Sequence, residues 1–436
     1  MKKIFRYGLF FSLILKVCVG FGGASQARER WELRNQIRRD KFDLVLPQAM
    51  RENGIDMWII MMKEGNFEPL YLDLGQGYPS TPGFVIFTDR GGDRIERAVL
   101  GIGGLNTLGA YDIFGSAANL KKFVAERDPK KIGVDMSENL PRADGLSHAG
   151  YEYLVRTLGK PYDVRIVSAE KLVSDFFCRR VASEIGVIAE AGRLSREIAH
   201  RALSNEVIVP GKTMIEDVSW WIMDRLAEKN LESSFGIPDV YITGQNGIEP
   251  NTGKRILQRG DLINIDWGVG LMGYYMDMKR TAYILKDGET KVPAGIQAAF
   301  DKAASARDVI IKAIKPGRTG RETLAAINAA LDAAGFSVMK EFNKTTDTTK
   351  TEVITCCHSV GDWGHGIGPS IAFFHEFQQG FKIVPSTILT IEFFAYTPAP
   401  EWGGKKVRIP LEDDAVVTER GVEWLYPINT GLLLIR

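Results

Sequence analysis

Residues 261–284 read DLINIDWGVGLMGYYMDMKRTAYI. Two apolar-rich runs, DLINID and MDMKRTAYI, flank a segment that carries Gly270 and Gly273. This is the pattern of an antiparallel hairpin. Positions across such a pair mirror about one centre. For Asp266 and Asp277 that centre falls between Leu271 and Met272, inside the turn. The two aspartates are therefore expected side by side on adjacent strands, facing the same way.

A second pair behaves similarly. Glu392 in STILTIEFFAY and Glu412 in KKVRIPLEDDAVVT mirror about Trp402, within the Pro/Gly segment APEWGGKK. Like charges set opposite one another destabilise a sheet. At an effective dielectric near 20, two charges ~4 Å apart repel by roughly 4 kcal/mol. A solvent-facing acid on an amphipathic strand explains any one of these residues. Two mirrored pairs, each bordered by apolar neighbours, imply that something positive lies between them.

Between the pairs runs HSVGDWGHGIGPSIAFFHE, residues 358–376, with three of the chain's five histidines: His358, His365 and His375. Four carboxylates and an imidazole suit manganese, iron, cobalt or zinc, and a thiolate site is not indicated. Two metals sharing carboxylates can activate a bridging water and polarise a carbonyl.

On these residues the chain resembles the pita-bread metallopeptidases: methionine aminopeptidase, aminopeptidase P and prolidase, with creatinase as a metal-free relative. The spacing of Asp266 and Asp277 matches, as do Thr390-Ile391-Glu392, Arg408-Ile409-Pro410-Leu411-Glu412-Asp413 (with two residues inserted) and the following AVVTERGVEWL. The resemblance covers most of residues 178–436. It implies two divalent metal ions, manganese first, with cobalt, zinc or iron as alternatives. Asp266 would chelate one; Asp277 and Glu412 would bridge both. Glu392 would bind the other and take the proton from the attacking water, and a histidine would complete that second ion.

Two assignments of the histidine compete. GHGIG points to His365 as ligand with His375 as its companion, but the family separates its two histidines by seven residues. His358 and His365 have that spacing, and His358 follows the strand-like TEVITCC. His358 is therefore taken as the ligand and His365 as a hydrogen-bond donor to the developing oxyanion. His375, beside Phe373 and Phe374, reads as a packed bystander. Many family members carry a histidine after a proline some 15–18 residues before the first aspartate. Here Pro250-Asn251 stands nearest, and Asn251 can donate a hydrogen bond but cannot shuttle a proton near neutral pH. Asn251 and Arg408 are the candidates for substrate contact, a salt-bridged strand arginine being the plainer role for Arg408.

The 436 residues suggest two domains or more. An apolar fraction of 45% and a charged fraction of 25% are those of an ordinary globular protein. Net charge is +1, and Lys2, Lys3, Arg6 and Lys16 account for it; without them the balance is acidic. No basic patch argues for nucleic acid. Residues 1–27 read as a signal peptide: a basic start, the apolar YGLFFSLIL, and Ser25-Gln26-Ala27 as a small-x-small cleavage site, although Lys16 interrupts the apolar stretch. A membrane span needs about 20 apolar residues, so none is expected after cleavage, and the mature chain would be periplasmic or secreted. It would retain Cys178, Cys356 and Cys357, which is no disulfide framework. Cys356 and Cys357 read as buried strand residues.

Residues 31–53 read as a helix despite Pro47. MWIIMM, GFVIFTD, RAVLGI and KIGVDM then read as strands. Together they make a small α/β domain over 28–175, similar to the N-terminal domain of aminopeptidase P, prolidase and creatinase; methionine aminopeptidases generally lack it. The remainder, 176–436, contains an internal repeat: PGKTMIE at 210–216 recurs as PGRTGRE at 316–322. Thr213 with Glu216, and Thr319 with Glu322, have capping-box spacing. Helices are expected over 182–204, 214–230, 293–314 and 320–335, with carboxylate-bearing strands after each pair. The fold expected is thus an α/β N-terminal domain followed by an α+β pita-bread catalytic domain, a pseudo-twofold α-α-β-β repeat. The function expected is an exported peptidase that cleaves Xaa-Pro bonds with metal-activated water. Another C–N hydrolase on the creatinase-like fold, or a non-catalytic binding protein, are the alternatives. The partner expected is a peptide substrate, and a homo-oligomer is compatible with the sequence.

Overall fold

Fully apolar runs make the centre of the first unit. The computed structural model describes residues 23–436 except 106, 108, 250, 251 and 363, with 23–26 by backbone alone. Most of the expected signal peptide, and Asn251, therefore lie outside the described residues. MWIIMM forms the strand Met57–Met62, buried along its length. It sits in a six-stranded sheet ordered Ile113–Gly115, Glu96–Gly103, Tyr78–Thr88, Met57–Met62, Ile132–Val134 and Ile166–Ser168. The helix expected over 31–53 is three segments: Gly23–Asp40, a π-helical turn Lys41–Val45, and Leu46–Glu52. Pro47 has no N–H to give the turn before it, and the wider π-helical turn, closed by the Leu46 N–H on the Lys41 carbonyl, stands just ahead of it. Among the described residues no helix is long and apolar enough to cross a membrane.

The chain divides into two compact units. The first comprises residues up to Val134 with Gly145–Val167 and Val181–Gly186; the second comprises Asp135–Asp144, Ser168–Arg180 and Val187–Arg436. The four helices expected over 176–436 form as Ala182–Ala202, Ile215–Lys229, Ala294–Ala313 and Gly320–Ala333. Thr319 and Glu322 make the expected reciprocal cap. Thr213 and Glu216 do not. The Thr213 hydroxyl is engaged by the preceding turn, accepting from Val209 N–H at 2.9 Å and donating to Val207 carbonyl at 3.2 Å. The helix begins one residue later, and Asp217 accepts the Met214 N–H at 2.7 Å.

The strands of this unit are broken, and the breaks place the site. One arm holds a five-stranded sheet, in order Leu433–Ile435, Met278–Ile284, Leu262–Trp267, Asp239–Gly244 and Gly247–Ile248, and a three-stranded one of Tyr274–Tyr275, Val269–Leu271 and Glu232–Ser233. The other arm holds two four-stranded sheets. The first is Ser337–Val338, Glu352–Thr355, Phe393–Pro398 and Lys406–Leu411; the second is His358–Ser359, Ile388–Thr390, Asp414–Thr418 and Gly421–Trp424. Chain segments pass from one sheet to the next at Met276–Asp277, Ile391–Glu392 and Glu412–Asp413. Leu389, Ile391, Phe393 and Leu411 pack with Ala299, Ala303 and Ile310 of the helix Ala294–Ala313 in one buried cluster, which fixes the backbone at these joints. Gly268 stands just past Asp266, where a Cβ would meet the Met276 carbonyl oxygen at 1.8 Å. Backbone cannot yield there as a side chain can. Gly268→Ala is expected to lower stability by about 1–3 kcal/mol, the usual penalty of overpacking, read as a lower urea midpoint with an unchanged slope. An unchanged midpoint would show that the hairpin opens freely at this point.

Candidate metal centre

The hairpin register differs from expectation by one residue of turn. Leu271 pairs with Tyr274, and Met272-Gly273 make the two-residue turn, both with positive φ (56° and 79°). That is the geometry of a tight hairpin connection. Asp266 consequently pairs with Lys279, not with Asp277. Side chains alternate along a strand, so Asp277, two residues before Lys279, keeps the expected face. Glu392 and Glu412 follow the expected register: Phe393 pairs with Leu411 through to Pro398 with Lys406, and the two glutamates lie just beyond the ladder.

All four carboxylates converge. Asp277, Glu392 and Glu412 are buried, while the Asp266 side chain keeps 29% of its surface exposed. Among the described residues three groups of side chains lie close enough to share an ion: Asp266–Asp277–Glu412, His358–Glu392–Glu412, and Asp277–His358–His365. His358 pairs through its backbone with Thr390 and is itself buried. Its Nδ1 lies 2.9 Å from the Ser359 carbonyl oxygen, so Nδ1 carries the proton and Nε2 presents a lone pair. Burial, foremost, pushes the imidazole down to about 3, which keeps it neutral. Among the described residues Nε2 has no hydrogen-bond partner, and neither does Asp277 Oδ1. Nε2 stands 3.7 Å from Glu392 Oε2 and 3.9 Å from Asp277 Oδ2. A neutral nitrogen lone pair facing carboxylate oxygens, without a proton between them, is the arrangement a cation completes. The donor set fits a divalent ion at this position.

His365 is the exposed member, 59% accessible, with Nε2 also 3.9 Å from Asp277 Oδ2. Its ring centroid is 4.5 Å from that of His358. His375 was expected to stand apart. Its ring lies 6.2 Å from both other imidazoles, and its Nδ1 is 3.0 Å from the Ser370 hydroxyl. Ser370 in turn bridges His358 through the backbone. The loop between the histidines folds back on itself, a contact that spacing alone does not reveal. Arg408 is buried; it donates to the Tyr241 hydroxyl at 3.2 Å and lies over the Phe394 ring at 4.1 Å. Cys356 and Cys357 are buried free thiols, as expected, but they lie in the break between the strands Glu352–Thr355 and His358–Ser359 and not within a strand; burial pushes both thiols up, out of the reactive range.

Lys279 is the residue that the sequence reasoning passed over. Its Nζ lies 2.6 Å from Glu412 Oε2, 2.8 Å from Glu392 Oε1 and 2.9 Å from Asp266 Oδ2. Burial alone would depress the ammonium, but the carboxylates of Asp266, Glu392 and Glu412 outweigh it and hold its pKa well above the usual lysine range. Asp277 and Glu412 are pushed up, by burial first and then by neighbouring carboxylates. For Glu392 burial works in the same direction, yet the Lys279 ammonium prevails and keeps the carboxyl low. The signal was present in MDMKRTAYI: Lys279 has the parity of Asp277, so it shares the face that bears the carboxylate. Further residues brace the cluster. Thr390 donates to Glu412 Oε1 at 2.9 Å. Arg280, wholly buried, donates to Asp413 at 2.7 Å and to the Glu412 carbonyl at 3.2 Å. Asp414 accepts from the Tyr426 hydroxyl at 3.0 Å and from the Asp277 N–H at 3.4 Å.

Residues 186–419, more than half of the chain, match the model of metallopeptidase family M24, and the chain belongs to that family. It is a metallopeptidase by that membership. An uncharacterized peptidase, YqhT of Bacillus subtilis, is 24% identical over 294 residues, covering 64% of this chain and 72% of the relative. Among solved structures, the X-Pro aminopeptidase of Thermotoga maritima superposes with a TM-score of 0.62 at 17% identity, over 89% of this chain and 99% of the other. The Xaa-Pro dipeptidase of Bacillus anthracis gives 0.60 at 20% identity, over 92% and 99%. These likenesses span the N-terminal unit as well as the catalytic one, and establish the fold as the pita-bread plan with an α/β N-terminal domain.

Proposed function

We propose that this M24 metallopeptidase is an exported enzyme that hydrolyses the bond preceding proline, at peptide N-termini or in dipeptides. The observation that carries the hydrolytic part is the unpartnered, buried Nε2 of His358 facing the carboxylates of Asp277 and Glu392. Support for proline comes from the likeness, over about nine-tenths of this chain, to the solved X-Pro aminopeptidase and Xaa-Pro dipeptidase. A divalent ion, manganese first for so oxygen-rich a set, supplies Lewis acidity and lowers the pKa of water when bound. The chain's own residues do the rest. His358 and Asp277 would hold the ion. Glu392, kept ionised by Lys279, accepts the proton of the attacking water. His365, on the exposed side, donates to the oxygen on which charge develops. Arg408 positions the Phe394–Tyr241 wall, and Asn251 remains a candidate for substrate contact. Four carboxylates alone would invite two ions; Lys279 bears on that number.

A peptide panel tests the reading. With Mn2+ present, peptides with proline at the second position are expected to be cleaved at least tenfold faster than matched alanine peptides, and chelator should abolish the activity. Equal rates, or preference for a methionine-initiated peptide, would overturn proline specificity.

The two histidines separate by metal titration. His358→Ala deletes a bond to the ion and is expected to weaken metal binding as well as turnover. His365→Ala should retain the metal and lose about 10²–10³-fold in kcat, the usual cost of one oxyanion donor. Metal loss confined to the His365 variant would exchange the two roles.

Export rests on the basic start, the apolar stretch and the Ser25-Gln26-Ala27 site. The mature protein is expected to begin near Arg28 and to be recovered outside the cytoplasm. N-terminal sequencing that returns Met1 on cytoplasmic protein would refute it.

A further inference from the structure

An ammonium group already occupies part of the site that the carboxylates build. Lys279 enters from the strand position directly opposite Asp266, and its backbone N–H donates to the Glu412 carbonyl at 3.3 Å. The side chain is 5% exposed and ends in three carboxylates, Asp266, Glu392 and Glu412, at 2.6–2.9 Å. Nζ also lies 5.6 Å from the centre of the Phe394 ring. A lysine ammonium has three donors, and three carboxylates receive them.

Of the three groups that could share an ion, two contain carboxylates bonded to Lys279: Asp266–Asp277–Glu412 has two of them, and His358–Glu392–Glu412 has two. The third, Asp277–His358–His365, contains none. Two buried atoms of the cluster without a hydrogen-bond partner among the described residues, His358 Nε2 and Asp277 Oδ1, come together only in that third group. Glu392 divides its oxygens accordingly: Oε1 faces Lys279, and Oε2 stands 3.7 Å from His358 Nε2. Divalent ions lie about 2.0–2.2 Å from carboxylate oxygens. An ion bonded to Asp266 Oδ2 and Glu412 Oε2 would share both acceptors with Nζ and collide with it.

We propose that the Lys279 ammonium is a resident cation standing in place of a second metal ion, so that each chain binds one divalent ion, beside Asp277 and His358. The inference rests on the hydrolase reading of this site and departs from the two ions that four carboxylates suggest. Asp266, an expected metal ligand, becomes a partner of Lys279. The cation is covalently tethered, so neither dialysis nor a chelator removes it, while the ion beside His358 exchanges. One position of the centre is then fixed by the sequence and the other by metal supply.

Metal counting on the full-length protein tests this. The protein is loaded with excess Mn2+, freed of unbound metal, and measured by elemental analysis and by the Mn2+ electron paramagnetic resonance spectrum. Wild type is expected to hold one ion per chain with the six-line spectrum of an isolated Mn2+. Lys279→Ser, which removes the ammonium and opens space, should raise the count from one to two and give a spin-coupled spectrum. Asp266→Asn should keep one ion. Two ions in the wild type, none in the wild type, a folded Lys279→Ser variant that stays at one, or loss of the ion from Asp266→Asn would each overturn the proposal. Should Lys279→Ser fail to fold, the wild-type count and Asp266→Asn decide it. The proline panel fails independently: two ions with normal proline cleavage sinks the resident cation alone, and one ion without proline cleavage sinks the substrate alone.

Discussion

The catalytic unit is organised around a cluster of buried like charges that an ammonium partly neutralises. Asp277, Glu392 and Glu412 are withdrawn from water, and Asp266 is partly so. Taking an ion out of water costs several kcal/mol even after relaxation, and an uncompensated buried charge is strongly destabilising. Lys279 supplies the compensation that the protein carries within itself. It bonds three of the four carboxylates and leaves Asp277, the more deeply buried of the two aspartates, to whatever cation meets His358. The same geometry that makes the cluster affordable therefore directs where an ion can enter.

The fold delivers these side chains by interrupting its strands. A residue inside a regular ladder faces one side of one sheet. A residue at a joint between sheets can point into the space that both sheets border. Asp277, Glu392 and Glu412 all occupy such joints, and His358 begins the strand just after the Cys356–Cys357 break. The joints need backbone anchors, because their own amides have left the ladder. Arg280 holds the Glu412 carbonyl, Asp414 accepts the Asp277 N–H, and the Cys356 N–H donates to the Glu392 carbonyl. Hydrophobic packing beneath, from the helix Ala294–Ala313, keeps the joints from relaxing into solvent.

Much of this was legible in the sequence, for physical reasons that also mark where legibility stopped. The four catalytic-unit helices carry long amphipathic patterns, and their spans agree with expectation within about two residues. Glu392 and Glu412 could be mirrored because Trp402 and the glycines after it fix the turn. Asp266 and Asp277 were displaced because a hairpin register depends on which two residues adopt positive φ. Met272 is a residue seldom chosen for that conformation, and composition pointed to the centre one residue earlier. Thr213 had the right spacing for a cap but a closer backbone partner. The return of His375 to the cluster depended on a loop path through Ser370 that no local pattern encodes.

The displacement in the hairpin had the largest consequence because of its parity. Moving the turn centre by one residue moves the partner of Asp266 by two positions, from Asp277 to Lys279. Side chains alternate with period two, so every residue keeps its face and the carboxylates still converge. What changes is the direct neighbour: a like charge gives way to an opposite one. An error of odd parity would have sent Met278 or Arg280 into the site and been visible as nonsense. The even one preserves the whole pattern of the metal site while substituting an ammonium for an aspartate at its edge. Face periodicity therefore identifies the residues that meet, but the sign of the charge directly across from Asp266 is set by a two-residue turn, Met272-Gly273.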